Sequence, residues 1–383
     1  MTPDPVLDMP APRSLVLRMD ITNICNLDCI GCGLVENREF LKETASPMNL
    51  GLFEKIADEV FPYLREVALS CEAEPTLHPQ FARIMKIIAE KTDHNTKLPV
   101  RMTTNATLLT AERLDAIFDS GIFGLAISID GFKPETFARI RKRGEISKVF
   151  EAMDEIVRRK TAAGKTRWDA PRLQINYTLM KSTLAELIPL IEYSRRWELE
   201  GFVVTHVYST GAKDMSAESL LDTPDESDRV LMGAARLCNE YGIPGRFPAL
   251  FCPEETPAAV SPSVPETLDY ACSAPWRMLR IRWNGGVFPC DVWNAANPLG
   301  DLQTQSFRDV WMSEKYQELR LGLYSNSPTM PQCINCDCIS QDNLENRKFQ
   351  SPIAHTSLNK VTGGSSLLQF LRRHRLLRST RDP

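Results

Sequence analysis

The first half of the chain alternates between short β-like runs and amphipathic helical segments. Hydrophobic patterning predicts six strands, at residues 15–21, 66–70, 99–104, 123–129, 172–178 and 201–207. Several are nearly continuous apolar runs, which is typical of strands buried on both faces of a parallel sheet. Between them, residues 49–64 and 79–91 and a segment opening at Thr110 carry apolar residues at helical spacing.

Six strand–helix repeats predict an α/β fold with a parallel sheet and right-handed crossovers. Six units are too few for a closed eight-fold barrel, and residues 15–215 could form either an open sheet or the partial (β/α)6 TIM-like barrel that we expect. Residues 1–14 form a short N-terminal arm. Residues 216–265 are rich in Asp, Glu, Pro and Ser and are expected to be a connecting region with one helix.

The next stretch, residues 266–340, has a different character. It holds five of the eleven cysteines, four of the six tryptophans and several Gly and Asn turns, which predicts a small cluster-binding module of a β-hairpin and a helix. Asn284-Gly285 indicates a type I′ hairpin turn, and residues 307–321 have a helical pattern. Residues 341–383 form a polar, basic tail that either docks, frays or binds an anionic surface.

Composition narrows the functional classes. With 43% hydrophobic and 25% charged residues the chain is typical of globular proteins, and a net charge of −4 provides no general attraction for nucleic acid. The N-terminus lacks the apolar segment of a secretory signal, and no run of 18 apolar residues predicts a membrane span. We therefore expect a cytoplasmic protein, in which clustered cysteines indicate metal rather than disulfides.

The first cysteine cluster, Cys25-x3-Cys29-x2-Cys32, follows the first predicted strand. On a helix these residues would share one face, but the surrounding Asn, Asp and Gly residues favour a loop wrapped around a metal. Structural zinc needs four protein ligands, and within forty residues of Cys32 only Cys71 could add one. A cubane iron–sulfur cluster held by three thiolates leaves one iron open to a small chelating molecule.

Polar residues also follow the later predicted strands. Glu74 comes after the second strand, Asn105 after the third, and Ser128 and Asp130 at the end of the fourth. In barrels of parallel strands, functional groups gather at the carboxyl ends of the strands. The sequence thus predicts one polar site at the same end as the cysteine loop.

The cysteine spacing in this context resembles the radical S-adenosylmethionine (radical SAM) superfamily. The resemblance implies a [4Fe–4S] cluster on Cys25, Cys29 and Cys32, whose open iron chelates S-adenosylmethionine (SAM). It further implies one-electron cleavage of SAM to a 5′-deoxyadenosyl radical, which abstracts hydrogen from a substrate C–H. The residue before the last cysteine is often aromatic in that family, whereas this chain has Gly31.

Two further segments look like SAM-contacting motifs of that family. Residues 70–75 resemble its Gly-Glu-Pro motif, with Ala73 in place of glycine, and imply that Glu74 approaches the SAM amino group. Asn105 stands where the family has Thr-Asn-Gly, although Ala106 follows it here. Glu74 alternatively caps the end of its strand or is a solvated acid.

The fourth strand ends with Ser128-x-Asp130-Gly131, which is similar to the family's Ser-x-Asp-Gly pattern. The resemblance implies that Ser128 and Asp130 accept hydrogen bonds from the ribose hydroxyls and that Arg141 binds the SAM carboxylate. The alternatives are a β-turn for Asp130 and a solvated run of basic residues for Arg141.

The second cysteine group is Cys272-x17-Cys290 followed by Cys333-x2-Cys336-x-Cys338. Four thiolates from these two segments could bind a [4Fe–4S] cluster or zinc. The arrangement resembles the twitch form of the SPASM auxiliary-cluster domain. It implies one auxiliary cluster on Cys272, Cys290, Cys333 and Cys336, with Cys338 able to replace Cys336, and hence two [4Fe–4S] clusters in the chain.

The resemblance also sets expectations for partners. Flavodoxin or ferredoxin would supply electrons, and the auxiliary cluster would accept or relay an electron from the substrate radical. Only about fourteen residues precede the first predicted strand, which favours a small biosynthetic intermediate, such as a sugar or cyclitol, over a peptide. Peptide modification is the alternative, and an iron–sulfur redox sensor is the alternative from another functional class.

Overall fold

A computed structural model describes most of the chain. The described residues are 8–32, 45–69, 72–92, 98–207, 214–252, 272, 274–291, 293, 297–325, 327–334 and 336. Ser70, Cys71, Cys338 and the tail at 341–383 lie outside them. Within these residues, no helix combines the length and apolar character needed to span a membrane.

The strands follow the predicted series closely. They are β1 (Leu15–Met19), β2 (Asp28–Cys29), β3 (Leu64–Leu69), β4 (Val100–Thr104), β5 (Gly124–Ser128), β6 (Arg141–Lys142), β7 (Arg172–Leu179), β8 (Gly201–His206), β9 (Gly245–Arg246), β10 (Met278–Ile281), β11 (Gly286–Phe288) and β12 (Gly300–Asp301). The main sheet has the order β12-β11-β10-β1-β3-β4-β5-β7-β8-β9, and β2 pairs with β6 separately. All six predicted strands are present and pair in parallel.

The helices connect these strands. They are α1 (Leu50–Glu59), α2 (Phe81–Lys91), α3 (Ala111–Asp119), α4 (Pro134–Ile140), α5 (Ile146–Ala162), α6 (Leu187–Ser194), α7 (Pro224–Glu240), α8 (Ala274–Arg277), α9 (Phe307–Trp311), α10 (Glu314–Tyr324) and α11 (Pro331–Ile334). Asn49 and Thr110, where two helical segments were predicted to begin, cap α1 and α3, each accepting a backbone N–H with its side chain. The segment predicted as one helix at 307–321 is two helices, because Ser313 caps the second.

The sheet is buried mainly on one face. Alternate residues of β1 and β7 are fully buried, whereas their neighbours on the opposite face are only half-buried. These two strands are therefore not fully buried on both faces. Helices cover the outer face, and the inner face carries polar side chains such as Arg18, Gln174 and Asn176. This α/β arrangement confirms the predicted fold class and is consistent with a partial TIM barrel.

The predicted hairpin is confirmed and joins the main sheet. Strand β10 pairs in parallel with β1, with Arg280 beside Arg18, and β11 pairs antiparallel with β10. The predicted type I′ turn is wrong, because of the two turn residues only Gly285 has a positive φ, +82°. The N–H of Gly285 donates to the carbonyl of Arg282, which makes a three-residue loop. The predicted cluster module and the barrel thus share one sheet.

Candidate metal-cluster site

The cysteine loop lies at the carboxyl end of β1. Its residues Asp28–Cys29 (β2) pair antiparallel with Arg141–Lys142 (β6), so that Cys29 lies directly opposite Arg141. The N–H of Ile30 also donates to the carbonyl of Ile140 at 2.9 Å. All three cysteines of the loop are partly exposed. The loop conformation agrees with the prediction from its Asn, Asp and Gly content, and the ribbon with β6 holds it in place.

Arg141 connects this loop to the end of β5. Its Nη1 lies 4.0 Å from the Cys29 sulfur, and its Nη2 lies 2.6 Å from Asp130 Oδ2. The other oxygen of Asp130 accepts the Thr178 N–H at 2.6 Å. Burial acts to lower the pKa of Arg141, but the charges of Asp130 and Cys29 outweigh it and the pKa is raised. Asp130 and Arg141 are therefore brought together beside the cysteine loop.

Glu74 is almost fully buried and bonded within the protein. Its Oε1 accepts the N–H and hydroxyl of Thr76 and the hydroxyl of Thr104, and its Oε2 accepts the Asn105 N–H at 2.8 Å. Burial raises the pKa of Glu74, while these hydrogen bonds act to lower it. Oε1 accepts three of these donors and Oε2 only one, so Oε2 can accept a further donor. Glu74 thus fixes the ends of β3 and β4 relative to each other.

Asn105 lies next to the first cysteine. Its side-chain Nδ2 is 4.0 Å from the Cys25 sulfur and donates to Asn26 Oδ1 at 3.0 Å. Its Oδ1 accepts the N–H and hydroxyl of Thr107, at 3.0 and 2.7 Å. Ser128, at the end of β5, is half-buried and pairs in register with Asn176. The Asn105 amide thus approaches the Cys25 sulfur, and the Arg141 guanidinium approaches the Cys29 sulfur.

The electrostatics of the three thiols suit a metal centre. Burial raises the pKa of Cys25 to about 12, opposed by the Leu27 N–H, whose nitrogen lies 3.5 Å from the sulfur. Burial also raises the pKa of Cys29, opposed by Arg141, and the charge of Cys32 raises it further. Three mutually repelling thiolates need a cation to hold them, so the donor set fits an iron–sulfur cluster. Among the described residues, no three His, Cys, Asp or Glu side chains are gathered closely enough for a metal ion.

A buried charge network at the hairpin escaped sequence reasoning. Glu72 Oε1 lies 2.5 Å from Arg280 Nη2 and 2.7 Å from Arg282 Nη2. Asp20 accepts the Glu72 N–H at 2.9 Å, and its other oxygen lies 3.4 Å from Arg280. The network joins the end of β1, the loop after β3 and the hairpin. Arg280 and Arg282 alternate with apolar residues in the predicted hairpin, and this pattern could have indicated the network.

Three of the four predicted auxiliary cysteines lie near one another. Burial raises the pKa of Cys333 to about 12, and the charges of Cys272 and Cys336 raise it further, so these three are within electrostatic range. The Cys336 N–H donates to the Cys333 carbonyl at 3.2 Å in a tight turn. Cys290 follows β11 and is half-buried. The all-thiol donor set has the chemistry of a [4Fe–4S] cluster or of zinc. The described cysteines are not gathered closely enough to hold a single metal ion.

Comparison with protein-family models identifies two domains. Residues 19–167 match the radical SAM superfamily, and residues 272–337 match SPASM, an iron–sulfur cluster-binding domain. The chain therefore contains a radical SAM domain and a SPASM domain, which favours an enzyme over the sensor alternative. Its cofactors are therefore a [4Fe–4S] cluster with SAM and further iron–sulfur centres.

Similar proteins include enzymes and modifying proteins. An AdoMet-dependent heme synthase of Methanosarcina barkeri is 26% identical over 330 residues, covering 81% of this chain and 85% of the relative. A tungsten-containing aldehyde ferredoxin oxidoreductase cofactor-modifying protein of Pyrococcus furiosus is 21% identical, covering 84% and 86%. The solved structure of Streptococcus suis SuiB bound to precursor peptide SuiA has a TM-score of 0.62 at 17% identity, covering 86% and 71%. That structural likeness concerns the fold.

Proposed function

We propose that Cys25, Cys29 and Cys32 hold the SAM-binding cluster and that the enzyme abstracts hydrogen from a substrate carbon. When bound, the cluster and SAM supply one-electron cleavage of the sulfonium and the 5′-deoxyadenosyl radical that removes the hydrogen atom. The supporting observation is the loop after β1, where Asn105 and Arg141 each approach a cysteine sulfur to 4.0 Å. Donors at this distance would stabilise thiolate charge as the loop binds iron.

The surrounding residues would form the SAM pocket. Arg141 lies beside Cys29 and offers N–H groups to the SAM carboxylate, while Asp130 holds its guanidinium in place. Ser128 and Asp130 are proposed to face the ribose hydroxyls, and Asn105 to line the pocket near Cys25. Glu74 fixes the Asn105 backbone through Oε2, and the same oxygen is proposed to accept the SAM amino group.

We propose that the SPASM domain carries one auxiliary cluster on Cys272, Cys290, Cys333 and Cys336. Three of these thiols lie within electrostatic range of one another, which supports a shared metal centre. Strand β10 pairs with β1, and this supports an auxiliary centre near the sheet that carries the SAM-binding loop. Cys272, Cys290, Cys333 and Cys336 would hold the centre that exchanges an electron with the substrate. Cys338 as a substitute ligand lies outside the described residues.

The proposed substrate is a small biosynthetic intermediate. Two relatives that align over most of both chains are named for heme synthesis and for modification of a cofactor. Neither name supports the sugar or cyclitol class that the sequence suggested. A peptide is the second candidate, because the fold resembles that of SuiB bound to its precursor peptide. Flavodoxin or ferredoxin is the proposed electron donor and the cytoplasm the proposed location.

Anaerobic reconstitution tests the assignment of the SAM-binding cysteines. With dithionite and SAM, the wild-type protein should release 5′-deoxyadenosine, and Cys29→Ala should abolish release and remove about four irons per chain. Cys238→Ala is the matched control, because Cys238 is a buried cysteine of α7 outside both groups and its loss should change neither measurement. Cleavage that survives Cys29→Ala, or full iron loading without any cleavage, would contradict the proposal.

A further inference from the structure

Arg320 is an unusual buried charge in the SPASM domain. Its side chain is 0% exposed and lies between two aromatic rings, 3.8 Å from the centre of Trp311 and 4.1 Å from that of Tyr316. An arginine stays protonated in proteins, so this position holds a full positive charge away from water. Burying a charge is costly unless an opposite charge lies nearby.

The protein groups that contact Arg320 do not balance this charge. Its Nη1 donates to the Trp311 carbonyl at 2.9 Å and its Nε to the Pro275 carbonyl at 3.3 Å, both neutral acceptors. Among the described residues no carboxylate pairs with Arg320, and its Nη2 has no hydrogen-bond partner. Burial lowers the pKa of Arg320 to about 10. By contrast, the buried Arg280 and Arg141 both pair with carboxylates.

The location of Arg320 indicates where its counter-charge would come from. Pro275, which accepts its Nε–H, is three residues beyond Cys272. Tyr316, which stacks on its guanidinium, lies within electrostatic range of Cys290, since the charge of that cysteine acts to raise the pKa of the tyrosine. Arg320 therefore adjoins both segments that would supply the hairpin-side ligands of the auxiliary cluster.

We propose that Arg320 is the buried counter-charge of the auxiliary cluster and raises its reduction potential. The inference rests on the proposed placement of that cluster on Cys272, Cys290, Cys333 and Cys336. A [4Fe–4S] centre with four thiolate ligands carries a net negative charge, which reduction by one electron increases. A nearby cation stabilises the reduced form more than the oxidised form, and the potential rises accordingly. Arg320 would therefore influence the reaction only through the potential of the auxiliary cluster.

The test measures the potential of the auxiliary centre alone. In a variant with Cys25, Cys29 and Cys32 all replaced by alanine, an EPR-monitored redox titration reports only the second centre. Arg320→Met should shift its midpoint to more negative potential, while Arg320→Lys, which keeps the charge, should restore most of the shift. Arg101→Met is the control, because Arg101 stacks 4.6 Å from the Phe123 ring but pairs with Glu200. The proposal would be overturned if the triple-alanine protein and its Arg320→Met, Arg320→Lys and Arg101→Met derivatives all had the same midpoint potential.

A second measurement uses stability and does not depend on the redox titration. The stability lost on Arg320→Met should be larger in the cluster-loaded protein than in a Cys272→Ala, Cys290→Ala variant, measured by urea denaturation. A purely packing role would give equal losses and would refute the counter-charge. Iron analysis separates the two hypotheses: if the double cysteine variant keeps its roughly four irons in the triple-alanine background, the placement of the cluster is wrong.

Discussion

Single side chains at the cysteine loop have roles that their sequence neighbourhood does not reveal. Asp130 was predicted to bind ribose, and the structure adds that its two oxygens accept the Thr178 N–H and the Arg141 guanidinium. Arg141, predicted to bind the SAM carboxylate, is partly enclosed between Asp130 and the Cys29 sulfur. Breaking a buried ion pair from one side leaves an uncompensated charge, which costs more than the pair itself contributes.

A double-mutant cycle tests the strength of this pair. Asp130→Asn and Arg141→Met should each destabilise the cluster-free protein by about 3–5 kcal/mol, and the double variant by much less than the sum. Urea denaturation under reducing conditions measures all four proteins. The exposed pair Lys148–Glu145 has the same 2.6 Å separation, and its cycle should yield under about 1 kcal/mol. Additive losses at Asp130 and Arg141 would show that they do not interact.

Among the secondary-structure elements, those with a local signal were predictable. Apolar runs located the six barrel strands, and the side-chain caps Asn49 and Thr110 located two helix starts. The ribbon of β2 and β6 has only two residues in each strand, too short for any periodicity, so nothing in the sequence indicated that Cys29 lies opposite Arg141. The cysteine positions were visible as a spacing, whereas the side chains facing them depend on this pairing.

The hairpin turn was misread because Asn-Gly suits more than one turn. In the observed loop Gly285 alone adopts a left-handed conformation, and a Cβ there would lie 2.7 Å from Asp301 Oδ1 and 3.2 Å from the Gln303 nitrogen. Any substitution at this position therefore suffers both backbone strain and a steric clash with β12 and the turn after it.

Two glycine substitutions separate strain from clash. Gly164→Ala, at φ +66° with nothing within 4 Å of the new Cβ, should cost about 1–2 kcal/mol from backbone strain alone. Gly285→Ala should cost clearly more, because the clash adds to a similar strain, and should reduce iron bound by the SPASM domain. Thermal or urea unfolding of both variants measures the difference. Equal losses would mean that the hairpin relaxes freely around the added methyl group.

At the scale of the whole molecule, the barrel and the SPASM domain are joined by a shared sheet and a shared charge network. Strand β10 lies beside β1, and Glu72 of the barrel forms ion pairs with both Arg280 and Arg282 of the hairpin. Their predicted boundary at residue 266 gave no indication of this joint. Residues that are 260 positions apart, Asp20 and Arg280, meet in it, and such non-local contacts leave no periodic pattern in a single sequence.

Removing the shared acid should weaken this joint. Glu72→Gln leaves two arginines with less compensating charge, so we expect a loss of about 1–3 kcal/mol and earlier unfolding of the SPASM domain. Tryptophan fluorescence reports mainly on that domain, because residues 266–340 hold four of the six tryptophans. In Glu72→Gln, the urea transition followed by tryptophan fluorescence should precede the one followed by far-UV circular dichroism. Glu90→Gln, in an exposed pair with Lys86, should leave the two transitions coincident; separation in both variants would refute a specific role for Glu72.

The pairing of β1 with β10 also affects how the polypeptide folds as it is synthesised. Strand β1 leaves the ribosome long before β10, the strand that completes its outer side, because β3 to β9 and their helices lie between the two. Until then the nascent chain presents an unpaired row of backbone N–H and C=O groups next to apolar Leu15, Leu17 and Met19. A chain truncated before residue 278 would keep that open edge permanently and would be prone to self-association.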